Sequence, residues 1–178
     1  KVVKGASTTR YYGGHKRTET ARHSDIRGWY DHFNSALLCS SAGEGEDIYH
    51  KGRLVIGVEA VPLKSLFDAF EVDLGGVSGQ LGWGTEYKVF ENQDVLIGPA
   101  ICYEGLYGEF FTGFAREGAE VMGVISNDGW WGNTPGHKRL FDFCRLRAIE
   151  CRRAIARSAN TGISGFISPL GTTIGDRL

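Results

Sequence analysis

Apolar runs in this sequence are short, are broken by glycine and turn residues, and alternate with a few helical stretches, a spacing that points to a mixed α/β domain. The longest candidate for an uncharged apolar run, Val95 to Cys102, has the length of a strand and carries a proline. A bilayer span needs ~18–20 apolar residues, so neither a transmembrane segment nor a signal peptide is expected here. Glycine supplies 26 of 178 residues, about twice the usual share, with no tripeptide period. That excludes collagen and implies many tight turns or close backbone approaches. The chain is 42% apolar and 23% charged, which argues against disorder and coiled coil. A net charge of −1 speaks against a general nucleic-acid partner. The length suits one domain, residues 1–178. Lys1 precedes a Val2-Val3 pair that already reads as strand, as in a fragment or a processed chain.

The periodicities place the elements. Lys1 to Ala6 reads as a short strand and Tyr11 to Arg27 as a surface loop rich in Gly, His, Arg and Thr. Phe33 to Cys39, the turn Ser40 to Asp47 and Ile48 to His50 make a hairpin. Val61 to Phe70 has helical spacing at positions 63, 66, 67 and 70. Tyr87 to Phe90 and Val95 to Ile101 make a second hairpin. Tyr107 to Arg116 reads as a helix closed by Gly118, Val121 to Ser126 as a buried strand, and Asn127 to Gly136 as a loop. His137 to Ser158 is the longest predicted helix, with Leu140, Cys144, Ala148, Cys151 and Ile155 on one stripe. Thr161 to Ile167 is a last strand, ended by Pro169. The hairpins rule out a purely parallel sheet.

The cysteines are Cys39, Cys102, Cys144 and Cys151, without a CxxC, and the five histidines show no paired zinc spacing. No metal and no cofactor are expected. Cys144 and Cys151 share a helical face but stand ~10 Å apart along its axis, too far for a disulfide. Cys39, Cys144 and Cys151 read as small buried apolar residues.

Cys102 is different. It closes a buried strand and is followed by Tyr103, Glu104 and Gly105 before the next helix. A nucleophile on such a turn is exposed beside backbone N–H groups that can stabilise an oxyanion. A helix N-terminus also favours the thiolate. Taken alone, a cysteine at a strand end is more often a core residue. Lys51 follows a strand start, and Glu59 sits inside the apolar run Ile-Gly-Val-Glu-Ala-Val-Pro. An unpaired buried carboxylate is costly, so an ion pair with Lys51 is expected.

Five blocks, in order, carry a resemblance. They are Tyr49-His50-Lys51 with Leu54-Val55 and Glu59; Ile101-Cys102-Tyr103-Glu104; Ser126 to Gly132 (SNDGWWG); Arg147-Ala148-Ile149-Glu150 with Arg153; and Arg157 to Gly165 (RSANTGISG). The sequence resembles the nitrilase (carbon-nitrogen hydrolase) superfamily, and within it the bacterial apolipoprotein N-acyltransferases; the match spans Phe33 to Gly171. The resemblance implies a nitrilase-like α-β-β-α sandwich with two mixed sheets, incomplete at both ends. It implies Cys102 as the nucleophile that carries an acyl thioester. Lys51, with the N–H of Tyr103, would stabilise the oxyanion, Glu59 would orient Lys51, and Glu104 and Tyr103 match the residues that follow the nucleophile. The family's general-base glutamate lies before Val2-Val3 and no residue here matches it. The family's membrane helices and its last C-terminal stretch are also unmatched. An incomplete catalytic domain, inactive alone, is therefore expected. Where the family more often has a proline after Leu54-Val55, this chain has Ile56.

The implied reaction moves a fatty acyl chain from a membrane phospholipid to the N-terminal diacylglyceryl-cysteine of an apolipoprotein, at the periplasmic face of a bacterial inner membrane. Two alternatives stand beside it: an amidase using the same residues on C–N bonds, and a non-catalytic binding domain. Val61, Leu63, Leu66, Phe67 and Phe70, or Tyr107, Phe110 and Phe111, could form an apolar arm over the site, though core packing is the commoner use of such residues. Trp130 and Trp131 either line an acyl pocket or pack their loop. Asn127, Asp128 and Asn160 are expected to fix loops rather than touch substrate. The arginines between positions 145 and 157 are expected to pair within the fold, for instance with Glu150, rather than with phosphate.

Overall fold

The computed structural model describes residues 1–60, 80–132 and 134–176, with the side chains of Glu46 and Trp130 outside that set. The expected helix and apolar arm over 61–70 lie outside the described residues. The elements are β1 (Val2–Gly13), β2 (Arg22–Ser24), β3 (Gly28–Cys39), β4 (Gly45–His50), β5 (Phe90–Asn92) and β6 (Val95–Ile101). They continue with α1 (Gly108–Arg116), β7 (Val121–Ser126), α2 (Gly136–Cys151), β8 (Ala154–Ala159), β9 (Gly165–Ile167) and β10 (Thr173–Ile174).

Two sheets form. The first is four-stranded: β3 pairs with β1, β2 and β4, antiparallel throughout. The second runs β10-β9-β8-β7-β6-β5. Its centre, β6-β7-β8, is parallel, and β5, β9 and β10 add antiparallel edges. The sheets pack face to face, β3 against β6 and β1 against β7. Helices α1 and α2 cover the outer face of the six-stranded sheet. The expected sandwich is therefore present, with parallel pairing confined to one sheet among the described strands.

The core follows the strand and helix periods. On β3, Ala36 and Leu38 face inward, with Tyr49 of β4 opposite Ala36. Met122 and Val124 alternate likewise on β7, and α1 buries Phe110, Phe111 and Phe114. These side chains join one apolar cluster with Phe141, Cys144 and Ile155. Helix α1 ends as expected: Gly118 takes φ +95°, which a Cβ disfavours, and the N–H of Ala119 reaches the carbonyl of Phe114 at 3.0 Å.

Three boundaries differ from expectation. β1 runs past the expected strand end to Gly13, into the stretch read as loop, because all of these residues but Tyr12, at a register shift, find a partner on β3, Arg10 opposite Asp31 and Tyr11 opposite Tyr30. β2 comes from the same stretch. The long helix stops at Cys151 rather than Ser158: Arg152 turns left-handed (φ 52°), and Ala154–Ala159 lie between β7 and β9 as β8. Ile155 is thus a strand residue of the core.

Candidate active site

Lys51 follows the last residue of β4 and is 1% exposed. Its Nζ donates to both carboxylate oxygens of Glu59 at 2.8 Å. The loop after Lys51 turns back so that the N–H of Val55 donates to Glu59 Oε2 at 2.8 Å. Asn34 of β3 gives a further bond, Nδ2 to Oε1, at 2.5 Å. Three donor groups, making four hydrogen bonds, therefore hold this carboxylate, which explains how a charge survives in the apolar run.

Cys102 begins a 3-10 turn, Cys102–Leu106, directly after β6. It is half-buried and holds φ +50°, a left-handed conformation that costs a non-glycine residue on the order of 1 kcal/mol. The strand-end turn expected around Cys102 is present. Glu104, fully buried, ties this turn to the lysine loop. Its Oε1 accepts the N–H of Gly52 at 2.7 Å, the N–H of Arg53 at 3.1 Å and the Tyr49 hydroxyl at 2.6 Å. Its Oε2 accepts the N–H of Ile101 at 2.7 Å. One carboxylate thus joins the residues flanking Cys102 to those following Lys51. Burial pushes the Glu104 carboxyl above its ordinary range, opposed by these donors and by the Lys51 charge. Tyr49 is raised by burial and by the Glu104 charge, so its hydroxyl stays a donor.

Carbon-nitrogen hydrolases match the chain over residues 19–177. The chain belongs to that family. Relatives of this carbon-nitrogen hydrolase domain include the apolipoprotein N-acyltransferase of Chlorobaculum tepidum, 36% identical over 149 residues, 80% of this chain and 28% of that protein. Apolipoprotein N-acyltransferase 2 of Treponema denticola is 34% identical over 81% of the chain and 29% of that protein. The domain thus spans less than a third of the length of these relatives. Among solved structures, an amidase from Nesterenkonia sp. shares the fold, with a TM-score of 0.59 at 18% identity, over 83% of this chain and 51% of that one.

Within the carbon-nitrogen hydrolase domain, Lys51 and Glu59 meet directly, and Glu104 connects their loop to the Cys102 turn. Tyr103 follows Cys102 with its ring edge-on to Tyr107, centroids 5.7 Å apart. The Trp131 ring covers Gly136 at the start of α2, where no Cβ would fit, so Trp131 packs its own loop. Trp130 contributes its backbone to the turn Gly129–Trp131, and its side chain lies outside the described set. Phe110 and Phe111 belong to the core, and Phe110 carries the Arg53 guanidinium on its face at 4.5 Å. Asn127 and Asn160 accept the Thr161 hydroxyl at 2.9 and 3.3 Å, fixing the two loops against each other. Asp128 and Arg157 form a buried ion pair at 2.8 Å, and Arg147 meets Glu150 at 3.2 Å. Cys144 and Cys151 are buried with thiols pushed upward by desolvation, Cys144 to about 11. Among the described residues no group of three or more His, Cys, Asp and Glu could hold a metal ion, and no helix is long and apolar enough to cross a membrane.

Sequence reasoning missed Asn34 and gave Tyr49 no role. A usable signal existed for Asn34: Ala36 pairs with Tyr49, so position 34 stands opposite the point where Lys51 leaves β4.

Proposed function

We propose that this domain catalyses N-acylation of bacterial lipoproteins, with Cys102 as the acyl carrier. The thiol gives its proton to a general base and attacks the carbonyl carbon of a phospholipid ester. A C–S bond forms, the ester C–O bond breaks, and the lysophospholipid leaves with a proton. The α-amine of a diacylglyceryl-cysteine then attacks the thioester; a C–N bond forms, the C–S bond breaks and the thiol returns. In both steps the tetrahedral oxyanion is met by the Lys51 ammonium and the N–H of Tyr103. Glu59 keeps Lys51 aimed. Glu59 and Glu104 are both surrounded by donors that they would have to give up to act as base, so proton acceptance falls to another group. The donor, the acceptor and a site facing the periplasmic side of the inner membrane belong to this reading.

The same Cys, Lys and Glu would also serve an amidase. What carries the acyltransferase reading is the sequence likeness: 36% and 34% identity to relatives of that name, against 18% to the amidase. Mass spectrometry of the full-length protein with phospholipid vesicles tests it. An acyl adduct on Cys102 that disappears in Cys102→Ala supports the proposal. Ammonia release from small amides without a lipid adduct moves the assignment to an amidase, and neither product points to a binding domain.

A further inference from the structure

We propose that Asn34 is a positioning residue of this site, acting through the Lys51–Glu59 pair rather than on substrate. It rests on the reading of Cys102 and Lys51 as the reacting thiol and its cation, and it holds for acyl transfer and amide hydrolysis alike. Asn34 holds both members of the pair at once. Its Nδ2 donates to Glu59 Oε1 at 2.5 Å, and its backbone carbonyl accepts the Lys51 N–H at 2.8 Å. The oxygen it binds is also the one that Lys51 Nζ reaches at 2.8 Å.

The side-chain chemistry suits this task. An ionised carboxylate only accepts hydrogen bonds, so the Asn34 amide must present its nitrogen to Glu59. A neutral donor fixes the carboxylate without competing for the lysine. An aspartate there would set a second negative charge against Glu59 and draw the ammonium away from the thiol. The strand supplies the rigidity. Asn34 continues the inward row of Leu38 and Ala36, and the ladder pairs Ala36 with Tyr49 and Ser35 with His50. Beside it the Ser35 hydroxyl is hydrogen-bonded to His50 Nδ1 at 2.8 Å and to the Thr8 hydroxyl at 2.7 Å, which braces the backbone on the opposite face. Asn34 therefore sits where the β3–β4 ladder ends and the catalytic loop begins, with the loop's cation and its carboxylate both anchored to one residue.

The test compares Asn34→Ala, Asn34→Asp and Asn34→Gln in the full-length protein. Two readouts are taken across pH 5 to 9: acyl-adduct formation on Cys102 from phospholipid vesicles, and Cys102 alkylation by iodoacetamide, which needs no substrate. Asn34→Ala is expected to slow acylation about 10- to 100-fold at unchanged half-saturating phospholipid, as for loss of a residue that orients another. Asn34→Asp is expected to lose as much at pH 8. It recovers as the pH falls, because the protonated side chain again donates to Glu59. Its alkylation follows the same recovery, because the ammonium is drawn toward two carboxylates only while both are ionised. Asn34→Gln is expected to recover neither, its amide standing one methylene out of place. A purely structural role would lower all rates in parallel and leave both pH profiles unmoved, and that result overturns the proposal. Absence of an acyl adduct in the unmodified protein would instead overturn the functional reading, while the alkylation profiles still decide the role of Asn34.

Discussion

Glu104, two residues beyond Cys102, accepts the backbone N–H of Gly52, the residue after Lys51, at 2.7 Å. The bond crosses from the six-stranded sheet to the loop leaving the four-stranded one. The candidate nucleophile and the candidate cation come from different sheets, and a buried carboxylate with four donors sets their registration.

Replacing that carboxylate by an amide tests the connection. Glu104→Gln keeps the shape but turns an NH2 group toward N–H donors. At least one buried backbone N–H of Gly52, Arg53 or Ile101 then loses its acceptor. The expected cost is about 1–3 kcal/mol of stability. Acylation of Cys102 is expected to fall about 100-fold, as when a reacting group shifts by an ångström. Urea denaturation read beside adduct mass checks both. A variant that acylates at the normal rate would remove Glu104 from the site's architecture.

The Lys51–Glu59 pair separates chemistry from stability. Lys51→Met leaves the Glu59 carboxylate, 8% exposed, with Asn34 and Val55 as its donors among the described residues. Breaking a buried pair from one side costs on the order of 3 kcal/mol. Lys51→Met combined with Glu59→Gln removes the stranded charge, so most of the stability should return. Adduct formation should stay absent in both. Thermal melts and intact mass of the two variants decide; activity in the double variant would mean that Lys51 does not meet the oxyanion.

The site was more legible in the sequence than the boundaries of the fold. A carboxylate in the apolar run 56–62 needs a cation, and Lys51 was the one at hand; the pair follows from the cost of burying charge. Cys102 stood out because strand and turn signals meet there. The end of α2 was illegible: Arg152 adopts a left-handed conformation with neither Gly nor Pro to announce it, and pairing of β8 with β7 and β9 outweighs the helical stripe through Ile155. The outer half of β1 was hidden for another reason. Much of it is exposed, so no alternation of apolar residues marked Thr8 to Gly13 as strand.

The arginines have a specific test. Arg157 donates to Asp128 at 2.8 Å, both residues being under 5% exposed, and also to the carbonyl of Ile163. Its role is to pin the Asn127–Gly132 loop to β8. Arg157→Met should therefore cost about 3–5 kcal/mol through the stranded Asp128. Arg157→Met with Asp128→Asn should regain part of it. If Arg157 served a phosphate instead, the single variant would melt normally and need more phospholipid to reach half its maximal rate.

Buried Cys144 gives the fold a pH limit. Desolvation raises its thiol to about 11 in the folded chain, from an ordinary value of 9.0. The folded state therefore keeps this proton while the unfolded chain releases it. The contribution of Cys144 is fully present below pH 9 and is lost as the pH rises toward 11. Cys144→Ala should flatten the fall of the urea midpoint between pH 9 and 10. Tyr12, raised to about 12 by burial and by Asp31, still contributes its own fall above pH 10. Cys144 should also resist iodoacetamide at pH 8 while half-buried Cys102 is alkylated. Peptide mass mapping reads which thiol carries the label, and equal labelling of the two would show that the Cys144 sulfur is not sealed beneath the Cys102 turn.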